Sequence, residues 1–394
     1  MAGSNSRIFD ALRRGMPAGA AGEPADAAGA VFGIALELGA YRDSVALVRG
    51  DEFRWLPPSE GEGPAGARAL ARPELRRVLG ELGWLPAGGG EARTPAPEEA
   101  ERIARLFARA AARRDPAGAL GVVAAAVPAR CSTAERARLR AALLKASRTL
   151  APGPAAGPAV ELVDGALAAA MDYASGHPGQ PGGRVLIVDL GATGLDLALV
   201  ELAPCELRGI EAARSTRVSG DRIDVAIAAD WIEGAAEPGA ELAPPALDAG
   251  ELHGLLDACR RLKHALSERG EAAVTLALPP RPERSHSLAR GSFDELLAPL
   301  LDVLCAEVRG LVEQSGGGWT GIEALHLVGG CARVPAVGDR LRREFSVPVS
   351  VGESPERAGC RGAALLAARL LAAPAERSAR SPAFDCPRRN IWQL

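Results

Sequence analysis

Lysine is almost absent from this 394-residue chain, in which Lys145 and Lys263 are the only lysines among 46 lysine and arginine residues. Alanine, glycine and proline are abundant, and together these biases indicate a GC-rich genome more than a function. Arginine carries the same charge on a broader, planar group, so the two residues are not interchangeable at a confined position. A lysine kept against the bias therefore marks a position that arginine does not fill.

The chain also lacks paired cysteines, a basic charge excess and long apolar runs. Its seven cysteines include no Cys-x-x-Cys pair, which argues against a zinc site or a disulfide framework and fits a reducing compartment. The net charge of −3 gives no electrostatic footprint for nucleic acid. No run approaches the roughly 20 apolar residues that cross a bilayer, and the N-terminus shows no signal peptide. We therefore expect a cytoplasmic protein with neither nucleic acid nor membrane as partner.

Apolar strand patterns alternate with helical patterns, which predicts an α/β fold with more than one core. Within the helix at 132–148, Ser132 or Thr133 is the expected cap, with Glu135 close behind. Strands are predicted at 121–127 and 324–328, and strand–turn–strand units at 31–48 and 184–202. Helices are predicted at 98–114, 132–148, 255–267 and 293–314.

An internal repeat links the two strand–turn–strand units. The residues Glu37-Leu-Gly-Ala40 match Asp189-Leu-Gly-Ala192 with a constant offset of 152. An acid followed by Leu-Gly therefore ends an apolar strand once in each half of the chain. The repeat predicts a duplicated architecture, although two unrelated strand ends with solvated acids remain an alternative.

Each repeat combines an acid with a glycine that lets the backbone turn tightly. Such a turn can bring amide groups up to a phosphate, and two facing hairpins would hold one polyphosphate from both sides. Carboxylates suit a hydrated Mg²⁺, which keeps most of its waters. Glu37 and Asp189 are therefore the candidate metal-binding residues, acting through water.

Four segments resemble the nucleotide-binding domain of the 70-kDa heat-shock (DnaK-type) family. Residues 185–196 are similar to its second phosphate loop, and 259–267 to its adenosine-contacting helix. Residues 326–335 are similar to its glycine-glycine adenosine loop, and 354–364 to the segment that opens its last core helix. The matches run in family order between about residues 31 and 371.

The resemblance implies a two-lobed actin-like ATPase fold, with duplicated ribonuclease-H-like lobes and a nucleotide cleft between them. It implies ATP or ADP with Mg²⁺ as the ligand. The catalytic positions that it implies are Glu37, Arg76, Asp189 and Asp196. The nucleotide-binding positions that it implies are Gly39, Gly191, Ala192, Thr193, Gly194, Lys263, Ser267, Gly329, Gly330, Arg333 and Glu356.

Several of these assignments have simpler alternatives. Gly329-Gly330 could be a tight strand-to-helix turn, and Lys263 an ordinary solvated helix residue. Arg333 is either a surface charge or a group that stacks on the adenine.

The phosphate-cleaving end departs from the family pattern. Glutamate stands at position 37 where the family has aspartate, and the extra methylene alters a site that depends on close positioning. Arg76 stands at the family's essential lysine, whose compact ammonium a guanidinium does not reproduce. The other departures are Ala40 and Tyr41 in place of two threonines, the altered order Thr193-Gly194, and Gly165 in place of a glutamate.

The resemblance also gives an expected domain plan. Lobe I covers 31–183 with a smaller subdomain at 49–117, and lobe II covers 184–371 with a smaller subdomain at 233–318, the last helix packing back towards the cleft. Residues 1–30 are expected to form a flexible extension, and 372–394 a flexible tail too short for a peptide-clamp domain. The apolar segments 9–12 and 391–394 are candidates for docking a protein partner, or are merely disordered termini.

Two functional hypotheses follow. The first is a degenerate, weak or inactive ATPase that serves as a nucleotide-responsive binding or scaffold module, as the altered phosphate end favours. The alternative is a slow or partner-activated chaperone ATPase. A sugar or acetate kinase of the same superfold is disfavoured, because the adenosine helix and the last segment resemble the chaperone branch.

Overall fold

The computed structural model describes most of the chain between residues 31 and 372 and one short segment near the C-terminus. The described residues are 31–39, 43–50, 52–56, 75, 79, 84, 96–113, 118–128, 131–148, 150, 157–177, 183–203, 206–234, 249–277, 283–372 and 391–393. Within these ranges, no helix is both long and apolar enough to cross a bilayer. Residues 1–30, Ala40, Tyr41 and Arg76 lie outside them, so the predictions made for these positions stay predictions.

The first sheet has five strands in the order β3-β2-β1-β4-β5. The strands β1, β2 and β3 are antiparallel neighbours, whereas β4 and β5 run parallel to β1. Both faces of β1 and β4 are covered, which agrees with their near-continuous apolar sequences. The bounds are β1 Val31–Leu38, β2 Asp43–Arg49, β3 Glu52–Trp55, β4 Ala119–Val127 and β5 Ala159–Asp164.

The second sheet has six strands in the order β12-β11-β6-β7-β8-β13. Here β6, β7 and β8 are antiparallel neighbours, and β11 and β12 run parallel to β6. A separate hairpin pairs β9 with β10. The bounds are β6 Arg184–Leu190, β7 Leu195–Ala203, β8 Glu206–Ser215, β9 Glu271–Leu276, β10 Arg284–Ala289, β11 Ile322–Val328, β12 Val349–Val351 and β13 Ile391–Gln393.

The two sheets repeat one topology, which confirms the duplication inferred from the sequence. Strands β1 to β5 correspond in order to β6, β7, β8, β11 and β12. Glu37 lies opposite Ser44 across the first hairpin, and Asp189 lies opposite Asp196 across the second. Both acids therefore occupy the same place in their sheets, and the predicted two-lobed α/β fold is confirmed.

The described helices agree with the sequence patterns in most places. Around Ser132, the serine hydroxyl accepts from the Glu135 amide while the Glu135 carboxylate accepts from the Ser132 amide at 2.7 Å. This is the capping box expected at that position. The bounds are α1 Ala96–Ala111, α2 Thr133–Ser147, α3 Gly165–Gly176, α4 Gly220–Gly234, α5 Ala249–Glu268, α6 Arg290–Gln314, α7 Pro335–Glu344 and α8 Ala358–Ala372.

Several elements differ from the expectations. Helices α3, α4 and α7 have no counterpart among the helices predicted from periodicity. Within the tail expected to be flexible, Ile391–Gln393 pairs antiparallel with β8 as the strand β13. A free backbone edge on β8 can accept such a strand because its amide and carbonyl groups are otherwise unpaired.

Helices α3 and α8 lie between the two sheets. One core cluster joins alanine-rich faces of these helices to apolar residues of both sheets. Helix α8 packs on α3 and on β1, β2 and β4, while α3 also contacts β6 and β7. At the crossing, a Cβ placed on Gly362 would overlap the backbone carbonyl of Ala168. Small residues therefore let the helices approach closely and set the separation of the sheets.

This crossing gives a test of the fold. We expect Gly362→Ala to lower the free energy of unfolding by about 2–3 kcal/mol, because the methyl group meets backbone that cannot move aside. Gly310→Ala is the matched control, since among the described residues nothing beyond its own helix backbone and chain neighbours lies within 4 Å of a Cβ at this α6 glycine. The control should be stabilised by up to about 1 kcal/mol through helix propensity. Equal denaturation midpoints for the two variants would contradict the close crossing.

Candidate functional site

The candidate site lies where the repeated acids Glu37 and Asp189 come together at the ends of β1 and β6. Both side chains are only partly exposed. The charge of Asp189 acts to raise the pKa of Glu37, and the charge of Asp196 acts to raise the pKa of Asp189. Around them lie the start of α8 and the turn that follows β11. We call the space bordered by these elements the candidate cleft.

Glu37 is held by the first turn of α8. Its carboxylate accepts a hydrogen bond of 2.9 Å from the Cys360 amide. A Cβ on Gly359 would lie 2.8 Å from Glu37 Oε1, so the carboxylate packs directly against this glycine. Unpaired amides and the dipole at a helix N-terminus favour an anion there. Glutamate is one methylene longer than aspartate, and the Glu37 side chain reaches from β1 to the amide of Cys360 on α8.

Asp189 lies against the glycine turn and near the start of α3. A Cβ on Gly329, which has a φ of 85°, would overlap the Asp189 carboxylate. A Cβ on Gly165 would lie 4.0 Å from Asp189 Oδ2. Across the hairpin, Asp196 forms an ion pair of 2.6 Å with Arg214. Position 165, where the family resemblance leads one to expect glutamate, therefore faces Asp189.

Both repeated acids have raised pKa values. For Glu37, burial and then the neighbouring Asp189 charge raise the pKa to about 8, although the Cys360 amide acts in the opposite direction. For Asp189, burial and then Asp196 raise the pKa to about 7, although Arg214 acts to lower it. The surroundings of both groups therefore disfavour negative charge.

The first loop is clamped by an arginine from α1. Arg102 donates to the Gly39 carbonyl and binds the Asp43 carboxylate through two nitrogens, the Nε–Oδ2 distance being 2.7 Å. The clamp joins α1 to both strands of the first hairpin. Gly39, predicted to approach a phosphate, thus has its carbonyl bound by a side chain of the protein.

The second loop is closed by its own backbone and by α4. The Gly191 amide donates to the Gly194 carbonyl at 2.9 Å, which forms the tight turn expected there. The carbonyls of Gly191 and Ala192 accept from the first two amides of α4, at 2.9 and 2.8 Å. The Thr193 hydroxyl lies 3.3 Å from Arg214 Nη2 and accepts from it. These contacts place four predicted loop residues together beside Asp189.

Lys263 is buried in an ion pair between α5 and α4. Its ammonium lies 2.7 Å from Asp224 Oδ1 and donates to the Gly220 carbonyl at 3.0 Å. Asp224 is 1% exposed and also pairs with Arg260 at 3.4 Å. Lys263 is therefore not the solvated helix residue of the simpler alternative. A compact ammonium in this confined position accounts for a lysine retained in an arginine-rich chain.

The predicted adenosine end brings Arg333 and Glu356 into contact. Arg333 donates to both Glu356 oxygens, at 2.9 and 3.0 Å. Burial acts to raise the pKa of Glu356, but the ion pair with Arg333 leaves it below its usual range. Ser267 hydrogen-bonds to the Lys263 carbonyl at 2.9 Å. Among the described residues, nothing outside the local chain lies within 4 Å of a Cβ on Gly330, so the space beside it is open.

Sequence reasoning missed Asp224, Arg102 and Arg214, which anchor the loops. The helix that carries Asp224 did have a signal in the sequence. Ser219 precedes the apolar run of α4, and its hydroxyl accepts from the Arg222 amide as a cap. Arg102 and Arg214 have no such signal. Their partners are distant in sequence, and many arginines share their local patterns.

The two ends of the candidate cleft fit a magnesium nucleotide differently. At one end, Ser267, Gly330 and Arg333 are the residues that would hold a base and a ribose, and nothing described outside the local chain crowds a Cβ on Gly330. The metal and phosphate end fits poorly, because Glu37 already occupies the amide at the start of α8. Bound Mg²⁺ would neutralise phosphate charge, but one oxygen of Glu37 is already bound to the Cys360 amide and not to a water of the ion.

Comparisons with known proteins relate the chain to one family. The family model described as "Hsp70 protein" matches residues 153–378, more than half of the chain. Chaperone protein HscA homologs from Burkholderia thailandensis and Burkholderia cenocepacia are each 26% identical over 208 residues. The matched part is 53% of this chain and 32% of each relative, so it spans about a third of these curated relatives. Glu37 and Arg76 lie outside the family-model match.

The buried lysine gives a prediction with an internal control. We expect Lys263→Met to lower the free energy of unfolding by roughly 3 kcal/mol, the low end for removing one partner of a buried pair, because Arg260 remains beside Asp224. Lys145→Met, at the exposed second lysine on α2, should change it by less than about 0.5 kcal/mol. Urea unfolding of both variants measures this. Similar urea midpoints for the two variants would mean that the ion pair of Lys263 adds nothing to the free energy of unfolding.

The raised pKa values predict how stability varies with pH. The folded protein keeps protons on Glu37 and Asp189 that the unfolded chain has released, so stability falls as pH rises from about 5 to 8. Glu37→Gln removes one titrating group and keeps an acceptor for the Cys360 amide. Between pH 5.5 and 8.5, in EDTA, the wild-type Tm should fall at least about 3 °C more than that of the variant.

The exposed acid Glu295 on α6 supplies the control for this experiment. Glu295→Gln should keep the wild-type pH dependence. Superimposable Tm curves for wild type and Glu37→Gln would show that Glu37 is not held in a protonated form.

Proposed function

Because this chain belongs to the Hsp70 family, we propose that it is a chaperone-family nucleotide-binding protein with an eroded phosphate site. In this proposal it hydrolyses ATP weakly or not at all and acts as a nucleotide-responsive binding or scaffold module. Family membership supports an adenine nucleotide as ligand and a chaperone-like ATPase domain as the ancestral function.

The contact between Glu37 and α8 carries this proposal. Phosphoryl transfer depends almost wholly on the placement of charges and of the attacking water. The Glu37 carboxylate is bound by the Cys360 amide and packed on Gly359, and these contacts compete with any support that it would give to a metal ion and its waters. Gly165 leaves Asp189 without a second carboxylate from α3. Arg76 in place of a lysine is a further loss predicted from the sequence.

The opposite end of the candidate cleft favours an alternative, a slow or partner-activated chaperone ATPase. Arg333 and Glu356 hold each other in a fixed bidentate pair beside the open space at Gly330. An end that binds the base would serve a scaffold module and a chaperone ATPase alike. Only the phosphate end separates the two functions, and turnover is the measurement that distinguishes them.

A scaffold module needs a protein partner, and the chain offers one candidate docking segment at residues 9–12. The other candidate, at the C-terminus, includes Ile391–Gln393, whose backbone pairs with β8. We therefore assign partner docking to the N-terminal segment in preference to the C-terminal one.

Isothermal titration with ATP and ADP, with and without Mg²⁺, tests the proposal. We expect weak binding, with dissociation constants for ATP and ADP within about threefold of each other, a difference of less than 1 kcal/mol. Hydrolysis should be negligible, and Arg76→Lys should not restore it, because Glu37 stays bound to α8. Submicromolar, strongly Mg²⁺-dependent ATP binding, or turnover rescued by that single change, would refute the eroded-site proposal.

A further inference from the structure

We infer that the candidate cleft selects an adenine nucleoside over its di- and triphosphates. The inference rests on the proposed nucleotide-binding function and names the ligand class of the same site. It depends on two differences between the ends of the candidate cleft, one in charge and one in the space left for a ligand.

The phosphate end is acidic. Asp189, Asp43 and Glu356 all lie near enough to Glu37 to act on its carboxyl group. Asp196 lies opposite Asp189 in the second hairpin. A di- or triphosphate would bring several negative charges into surroundings that already disfavour negative charge, and desolvation strengthens the repulsion between like charges there.

Three basic side chains tied to the loops are each already bound to an acid. Arg102 binds Asp43 beside the first loop, and Arg214 binds Asp196 beside the second. Lys263 binds Asp224 below the second loop. An incoming phosphate would have to compete with these ion pairs in the described part of the chain. Breaking such a pair leaves a partly buried carboxylate uncompensated, so the exchange is unfavourable.

The space for a phosphate is also taken by the protein. Amides at the start of a helix are a favourable place for an anion, but at α8 the Cys360 amide is bound to Glu37 at 2.9 Å. The carboxylate packs against Gly359, which has no side chain to hold it away. On the other side, the Asp189 carboxylate packs against Gly329 in the same manner. The surfaces of Gly359 and Gly329 that face the candidate cleft are thus covered by carboxyl groups.

The other end is open and suits an uncharged ligand. The space beside Gly330 is free of other described parts of the chain within 4 Å of a Cβ position. Arg333 is half-exposed and is held by a bidentate pair with Glu356, and a guanidinium held in this way can stack on a base. The Ser267 hydroxyl on α5 supplies a polar group. A base and a ribose need such groups and no compensating cation.

Isothermal titration of the full chain with adenosine, ADP and ATP tests the inference, once in EDTA and once with Mg²⁺. Adenosine should bind at least about tenfold more tightly than ADP or ATP in both series, which corresponds to 1.4 kcal/mol. Affinity that rises with the number of phosphates, in either series, would overturn the inference.

A variant separates the role of Glu37 from general weakness of the site. Glu37→Ala frees the Cys360 amide and the space at Gly359, so ADP should bind about tenfold more tightly while adenosine is unchanged. Glu295→Ala, an exposed acid on α6, is the control and should leave all three affinities unchanged. If Glu37→Ala does not fold, the wild-type series still decides the question.

The outcomes distinguish this inference from the proposed function. If adenosine, ADP and ATP all fail to bind, the nucleotide-binding function itself is wrong. If all bind and the phosphates strengthen binding, the function stands and the nucleoside preference is wrong. If adenosine binds more tightly but Glu37→Ala does not improve ADP binding, the preference stands and its assignment to Glu37 is wrong.

Discussion

The close crossing of α3 and α8 is the constraint on which the rest of this structure depends. Gly362 meets the backbone of Ala168 directly, and alanines line most of the surrounding interface. Because both helices are packed between the two sheets, their separation sets how near the ends of β1 and β6 lie to each other. Glu37 then contacts the first turn of α8 because that helix lies against its own sheet. A larger residue at the crossing would change the candidate site without touching it.

The duplication places Glu37 and Asp189 at equivalent positions of the two sheets. Their side chains differ by one methylene, and they contact different parts of the chain. Asp189 ends beside the glycine turn that follows β11, whereas Glu37 extends to an amide of α8. The second lobe therefore keeps an acid facing the candidate cleft, and the first lobe uses its acid as a contact with the last helix.

Local patterns predicted the elements whose signals are short in range. The hairpin of β6 and β7 and the capping box at Ser132 depend on residues a few positions apart, and both are confirmed. The repeat that links Glu37 to Asp189 compares two such short segments, 152 positions apart, and it is confirmed as well. Helix α4 was missed because its apolar face has no counterpart in the resembling segments, although Ser219 marks its start. The Arg102 clamp joins residues 59 positions apart, and no local pattern selects it from the other arginines.

The amino-acid pattern alone was enough to predict the fold class, the duplication and the family, because alternating apolar periodicity and glycine-bearing strand ends are properties of short segments. It also marked Lys263 as unusual, through its rarity alone. The contacts that these residues make could be seen in the folded structure but not in the pattern. Lys263 proved to be buried against Asp224, and Glu37 to be bound to Cys360, 323 residues away. Such partners are set by how helices pack between sheets, and packing depends on the summed shape of many side chains.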